Sequence, residues 1–365
     1  MFRRLHAVLL FTACTAVQAT TVTGLYEVSV PVTDQGVEAR RQALEDALAA
    51  VLVRVTGERA VNRLPELTGM LRNPARYLQQ YRYEEIAPAS GSGGTGTATS
   101  LPALQLWARF DAAALERALH EAGAPLWGAE RPSTLVWIAF DDGIQRALLG
   151  RESLPEWFAV IEETARTRGL PLVMPLLDLE DRQALEARDI FAFDEMRLQQ
   201  ASARYNPNAV LAGALQRDRV SGRWSATWML LRAAEVSQWQ DERATVPEVL
   251  AEAVHLLADR YAAQYAVRDG GALHGVTLAV SGITTLEAYG AVTSYLTSLA
   301  LVEEVTVVEL AGDVLVLKLA IRGERHHLEQ VIGLDDRLVP VTAPAATMQA
   351  AVPPAVVDLY YRYGS

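Results

Sequence analysis

Cysteine is nearly missing: Cys14 is the only one in 365 residues. A single thiol excludes an intrachain disulfide framework and any thiolate metal cluster, so the fold must hold by core burial alone. Lysine also occurs once, at Lys318, and no glycine-rich segment is followed by lysine, which excludes a phosphate loop. That arginine-for-lysine bias reads as genome composition rather than function. No serine stands in the Gly-x-Ser-x-Gly nucleophile elbow. Long hydrophobic runs are missing as well: the N-terminal apolar stretch, Ala7 to Val17, is far short of the roughly twenty residues that cross a bilayer. Beyond His6 the histidines are His120, His255, His274, His326 and His327, and none pairs with another at an i, i+4 ligand spacing. Positive charge is in deficit, 33 basic residues against 44 acidic, and the resulting field repels phosphate backbones, so no nucleic-acid partner is expected.

What is present begins with an export pattern. Met1 to His6 is short and basic, Ala7 to Val17 apolar, and Val17-Gln18-Ala19 offers small residues at a cleavage site. This predicts a signal peptide over residues 1–19, no transmembrane segment, and a periplasmic product. Without Arg3 and Arg4 that product carries 31 basic residues against 44 acidic ones. A lipoprotein anchored at Cys14 is the alternative, through Phe11-Thr12-Ala13-Cys14, although phenylalanine stands where such signals carry leucine.

Half of the residues are hydrophobic, enough for two or three domains in a chain of this length. Residues 20–128 read as an α/β unit. Thr21 to Val32 alternates as a strand, and Val37, Leu44, Leu48, Val51 and Val55 recur at helical spacing. A helix over 64–71 follows, then strands over 77–86 and 101–110, joined by the Gly/Ser/Thr tract 88–97, and a helix over 112–121. Residues 132–267 read as a central α/β domain with a mixed sheet. Its first strand, Thr134 to Phe140, is continuously apolar and so buried on both faces. Helices are expected over 155–168, 179–187, 193–204 and 247–265, and strands over 170–174, 208–216, 223–232 and 236–240. Residues 272–342 follow a βαββαβ order, the ferredoxin-like arrangement, ahead of an Ala/Pro-rich tail over 343–365. The fold class is therefore α/β and α+β, multi-domain, with mixed sheets.

Few residues carry chemistry. Gly91-Ser92-Gly93-Gly94-Thr95-Gly96 matches the dinucleotide fingerprint formally, but no helix pattern follows it, so no cofactor is expected. Asp141-Asp142 follows the apolar strand at its carboxyl end, the edge where open α/β sheets bind ligands; a turn built with Gly143 accounts for the same residues. No catalytic or metal-ligating set is assigned. Tyr77, Tyr81 and Tyr83 alternate beside Arg76 and Arg82, either as a recognition face or as packing against the helix over 37–55. Tyr360, Tyr361, Arg362 and Tyr363 combine the residue types that dominate interface hot spots; docking back on their own domain is the other reading.

Leu25-Tyr26-Glu27-Val28, Val30-Pro31-Val32, the run Ala47 to Gly57 and the run Pro74 to Tyr83 together resemble the exported proteobacterial family called domain of unknown function 2066. That resemblance implies an envelope protein and brings no catalytic residues. By element order alone, the middle region looks like the α/β amino-terminal domain of the Tol translocation protein, an analogy that implies a protein-binding scaffold. The expectation is a non-enzymatic interaction or assembly scaffold of the cell envelope, with a partner protein left unnamed and a homo-oligomer possible through open sheet edges. A small-ligand-binding or hydrolytic enzyme using Asp141 and Asp142 is the alternative.

Overall fold

A computed structural model describes residues 20–86, 103–232, 235–268, 272–342 and 357–364. The segment read as an export signal, the Gly/Ser/Thr tract and most of the Ala/Pro-rich tail lie outside these residues.

The first unit packs one helix on a three-stranded antiparallel sheet. Helix α1 (Val37–Thr56) turns Leu44, Leu48, Val51, Leu52 and Val55 to one side. Gly57 ends it in the left-handed region, donating its N–H to Val53 O. Strand β1 (Glu27–Val32) pairs with β3 (Ala103–Phe110), which pairs with β2 (Leu78–Ile86). Leu106, Ala108 and Phe110 face α1 and are at most 2% exposed. The predicted strand 21–32 is broken at Gly24, whose φ is +71°; Thr20–Thr21 pairs instead with Glu130–Arg131. The helix predicted over 64–71 is a series of tight turns around a short helix, Thr68–Leu71. Helix α2 (Ala112–Glu121) closes the unit under an Asp111 cap.

The central unit has three layers. Strand β4 (Thr134–Asp141) runs parallel to β7 (Ala209–Arg217), which continues antiparallel into β8 (Trp224–Arg232) and β9 (Glu235–Arg243). The other edge of β4 is shared by two short strands: β5 (Arg146–Leu148), antiparallel along Ala139–Asp141, and β6 (Leu172–Val173), parallel along Thr134–Leu135. Alternation divides β4 between two cores. Val136, Ile138 and Phe140 meet helices α3 (Pro155–Arg168) and α7 (Val246–Tyr265). Leu135, Trp137 and Ala139 meet α4 (Leu179–Ala184), α5 (Ala187–Phe191) and α6 (Glu195–Ser202) on the opposite face. Those three short helices stand where two longer ones were predicted. Asp178, Glu186 and Asp194 each cap a new start, and local caps override the run of helix-forming residues between them.

In the third unit, β10 (His274–Ser281), α8 (Leu286–Ser298), β11 (Val302–Ala311), β12 (Val314–Ile321), α9 (Arg325–Ile332) and β13 (Leu338–Pro340) follow the predicted element order. The sheet order is β11-β12-β10-β14-β13. The additional member, β14 (Leu359–Tyr363), comes from the far end of the tail. It runs parallel to β10 and antiparallel to β13, displacing β13 one place outward from its ferredoxin-like position. The apolar core of this unit is continuous with the α3/α7 side of the central sheet.

A buried guanidinium closes the joint between the first two units. Arg131 has no exposed surface and donates to five backbone carbonyls, those of Gly128, Trp127, Arg54, Arg168 and Gly169, at 2.7–3.1 Å. Its plane lies 3.9 Å from the Trp127 ring centroid. Two of these acceptors end α3 and one lies near the end of α1, so the cation sits at the negative ends of two helix dipoles. Arg168, also fully buried, donates to Gly57 O at 2.6 Å and to Asp259 at 2.8 Å, tying α3 to both α1 and α7.

Candidate functional site

Asp141 and Asp142 stand at the carboxyl end of β4. Asp141 Oδ1 accepts from the Gly143 N–H at 2.9 Å, and its Oδ2 accepts from Arg146 at 3.1 and 2.8 Å. Asp142 Oδ1 accepts from the N–H groups of Ile144 and Gln145, both at 2.8 Å. These backbone bonds, helped at Asp141 by Arg146, hold both carboxyls below the usual carboxylate range. Both carboxylates thus serve their own turn, which Gly143 completes at φ +86°. Among the described residues, no group of three or more His, Cys, Asp or Glu side chains is placed to hold a metal ion.

The three tyrosines of the first unit do not share one outward face. A register shift between Leu78 and Gln80 reverses the phase of β2, and Tyr77 lies ahead of it, buried in the core at 6% exposure. Tyr81 and Tyr83 stand opposite Ala108 and Leu106, on the side of α1. Tyr83 packs against that core, while Tyr81 is 40% exposed at its rim, with Arg40 Nη1 donating to its hydroxyl at 3.4 Å.

The opposite face of the same sheet carries a different set. Pairing places Trp107 at its centre, flanked by Ser29 on β1 and Arg82 on β2. The Arg82 guanidinium lies 3.9 Å from the Trp107 ring centroid and that of Arg109 lies 5.3 Å away. Each cation is pinned: Arg82 Nε donates to Glu84 at 2.6 Å, and Arg109 donates to Glu27 at 2.9 Å through Nε. The Arg82 guanidinium, and after it the Gln105 amide at 2.9 Å, holds the Glu84 carboxyl below its usual range. Among the described residues no helix packs on this face, and every core residue of the sheet points the other way. The arrangement is a partly exposed tryptophan held between two arginines whose own charges are fixed. It suits flat, amphipathic recognition. Trp107 escaped the sequence reading, yet its signal was there: in Leu104 to Phe110 it falls in phase with Gln105 and Arg109, not with Leu106 and Ala108.

Tyr360, Tyr361, Arg362 and Tyr363 form the body of β14, paired on both sides. Tyr361 is in the core at 5% exposure, with Leu359 and Tyr363 packed against that core. Opposite Ala279 and Ser281 on β10, Tyr360 and Arg362 occupy the outer face. The backbone of this segment therefore has no free edge to offer.

No helix among the described residues is long and apolar enough to cross a membrane. No curated protein and no solved structure matches the chain. Residues 19–128 do match a family, and it is not domain of unknown function 2066, the family that the opening residues resemble. The matching description is Domain of unknown function (DUF8605), and its span holds the whole Trp107 face and stops just short of Arg131.

Proposed function

We propose that this protein is a non-enzymatic interaction scaffold of the cell envelope whose first unit docks a partner protein on the Trp107 face. The observation that carries the reading is Trp107 stacked between Arg82 and Arg109 on a sheet face that no described helix covers. Tryptophan and arginine are the side chains that most often dominate interfaces, and here the ion pairs to Glu84 and Glu27 fix them before a partner arrives. The envelope address rests on the basic, apolar and small-residue pattern of residues 1–19. Asp141 and Asp142, the residues of the enzymatic alternative, accept bonds from the N–H groups of their own turn and, at Asp141, from Arg146.

A photo-crosslinking side chain placed at position 82, with a control at the exposed Gln42 on helix α1, across the sheet from the Trp107 face, tests the reading in intact cells. A discrete adduct at 82 that disappears in Trp107→Ala is the expected result. Equal adducts at both positions, or an adduct indifferent to Trp107→Ala, overturn it.

A further inference from the structure

A cleft of about 1050 Å³ lies in the central unit, and its position follows from the topology. Strands β5 and β6 share one edge of β4 but occupy different ends of it, so the chain parts from that edge between them. The cleft opens in this gap, between residues 150–153 and the segment 172–178 that continues from the carboxyl end of β6. Divergence of connections at strand ends is where open α/β sheets bind ligands. Its floor is α3, where Phe158, Ile161 and Ala165 recur at helical spacing and are at most 5% exposed. The wall above it is an extended run from which Leu172, Met174, Pro175, Leu176 and Leu177 line the cleft.

That wall is built rigidly. Leu177 sits at φ +52°, a strained conformation for leucine. Asp181, which is fully buried, accepts the Leu177 N–H at 2.8 Å, and Arg182 Nε donates to Leu177 O at 2.8 Å. The Tyr205 hydroxyl bonds Asp181 at 2.5 Å and receives the Leu176 N–H at 2.9 Å.

Charge at the rim selects the occupant. Arg151 is paired with Glu162, Arg166 with Glu163, and Asp178 with Arg204. Two lining groups have no ionic partner among the described residues: Arg182, which uses only Nε on Leu177 O, and Glu152 on the facing loop. An acyl anion would satisfy the guanidinium and leave Glu152 facing apolar chain. A peptide satisfies both, because its terminal carboxylate suits Arg182 while its N–H groups suit Glu152.

We propose that this cleft binds the apolar carboxy-terminal end of a peptide, with Arg182 holding the terminal carboxylate and the α3 floor and residues 172–176 holding the side chains. This site is separate from the Trp107 face and does not depend on it. Calorimetric titration of the full chain with acetyl-Leu-Leu-Leu as free acid and as amide, and with decanoate, tests the assignment. The free acid is expected to bind about tenfold more tightly than the amide, the scale of one charge-assisted contact at an exposed rim. In Arg182→Gln, checked for an unchanged circular dichroism spectrum because it also removes the bond to Leu177 O, that preference should vanish while weak amide binding persists. Leu176→Glu, at an exposed lining position, should lose both peptides. Acid and amide binding equally, no binding of either at millimolar concentration, or decanoate outcompeting the acid would each overturn the proposal.

Discussion

Arg131 offers the sharpest test of how the units are joined. Its guanidinium has no exposed surface and pairs with no carboxylate among the described residues; five backbone carbonyls hold it instead. Burial pushes its pKa down to about 9, and Arg168 and Arg54 add to that while Tyr26 opposes it, so the group is still a cation at neutral pH. In Arg131→Met the stem is retained and the charge removed. Each bond from a charged donor is worth about 1.5 kcal/mol at the low end, which gives roughly 7 kcal/mol gross for five. Relief of the desolvated charge and of its repulsion with Arg54 and Arg168 offsets part of this, leaving about 3–5 kcal/mol, the usual cost of breaking a buried charged network. That is a large share of a typical domain's stability of about 5–15 kcal/mol. The loss should be localised. In limited thermolysin digestion the first unit should separate as a fragment near residues 128–132, and its urea transition should come away from that of the remaining chain. Arg131→Lys should restore less than half of the difference, because an ammonium cannot reach carbonyls spread around a planar fork. A Met variant within 1 kcal/mol of wild type, with unchanged digestion, would refute the hub.

Three further outcomes follow from particular residues. Burial raises the Glu130 carboxyl above its ordinary value, and Asp335 adds to this against Arg337 and Arg131. The folded state therefore holds that proton more tightly, and stability falls as pH rises through the raised pKa; Glu130→Gln should raise Tm by roughly 2–4 °C at pH 7.5 and by nothing at pH 4, read by scanning calorimetry. His255 has the opposite sign: burial, then Arg59 and Arg168, lowers its pKa, with Arg168 Nη1 3.3 Å from Nδ1 and the Glu252 and Asp259 carboxylates opposing. The unfolded state binds its proton first, so urea midpoints should fall as pH drops through about 6.5, and His255→Gln should flatten that slope. Tyr361→Ala empties a core position of β14 and should cost about 3 kcal/mol in urea unfolding, whereas Arg362→Ala on the outer face should cost under about 0.5 kcal/mol.

Periodicity accounts for what could be read before the structure was known. The helical spacing of Leu44, Leu48, Val51 and Val55, the unbroken apolar run of Thr134 to Phe140 and the alternation of Leu315, Leu317, Leu319 and Ile321 each encode one buried face, and each is a buried face in the structure. Such signals are local, because a helix or strand repeats its burial within a few residues. The phase of Trp107 was equally local, but aromatic content hid it: a tryptophan in a strand reads as core until its neighbours Gln105 and Arg109 are counted. Tyr77 packs in the core beneath α1, one of the two readings its sequence allowed. A bulge at Gln79 reverses the phase, and nothing in Tyr77 to Tyr83 marks where the extra residue falls.

The remaining features are closures between distant segments, and no period encodes them. Nothing in the sequence around Arg131 marks it as buried, since its acceptors are main-chain oxygens of residues 54, 127, 128, 168 and 169, which any sequence supplies. Leu359–Tyr363 reads as a strand wherever it lands; that it enters between β10 and β13 depends on a pairing some eighty residues away. The wall of the central cleft is the same kind of object. Leu177 is held in a strained conformation by Asp181, whose second partner, Tyr205, lies beyond two more helices. Binding surfaces gather at such closures for a physical reason. A periodic face is consumed by the core that selects it, while the backbone turns and charged side chains that join one element to the next are left at the surface, already ordered and with bonds to spare.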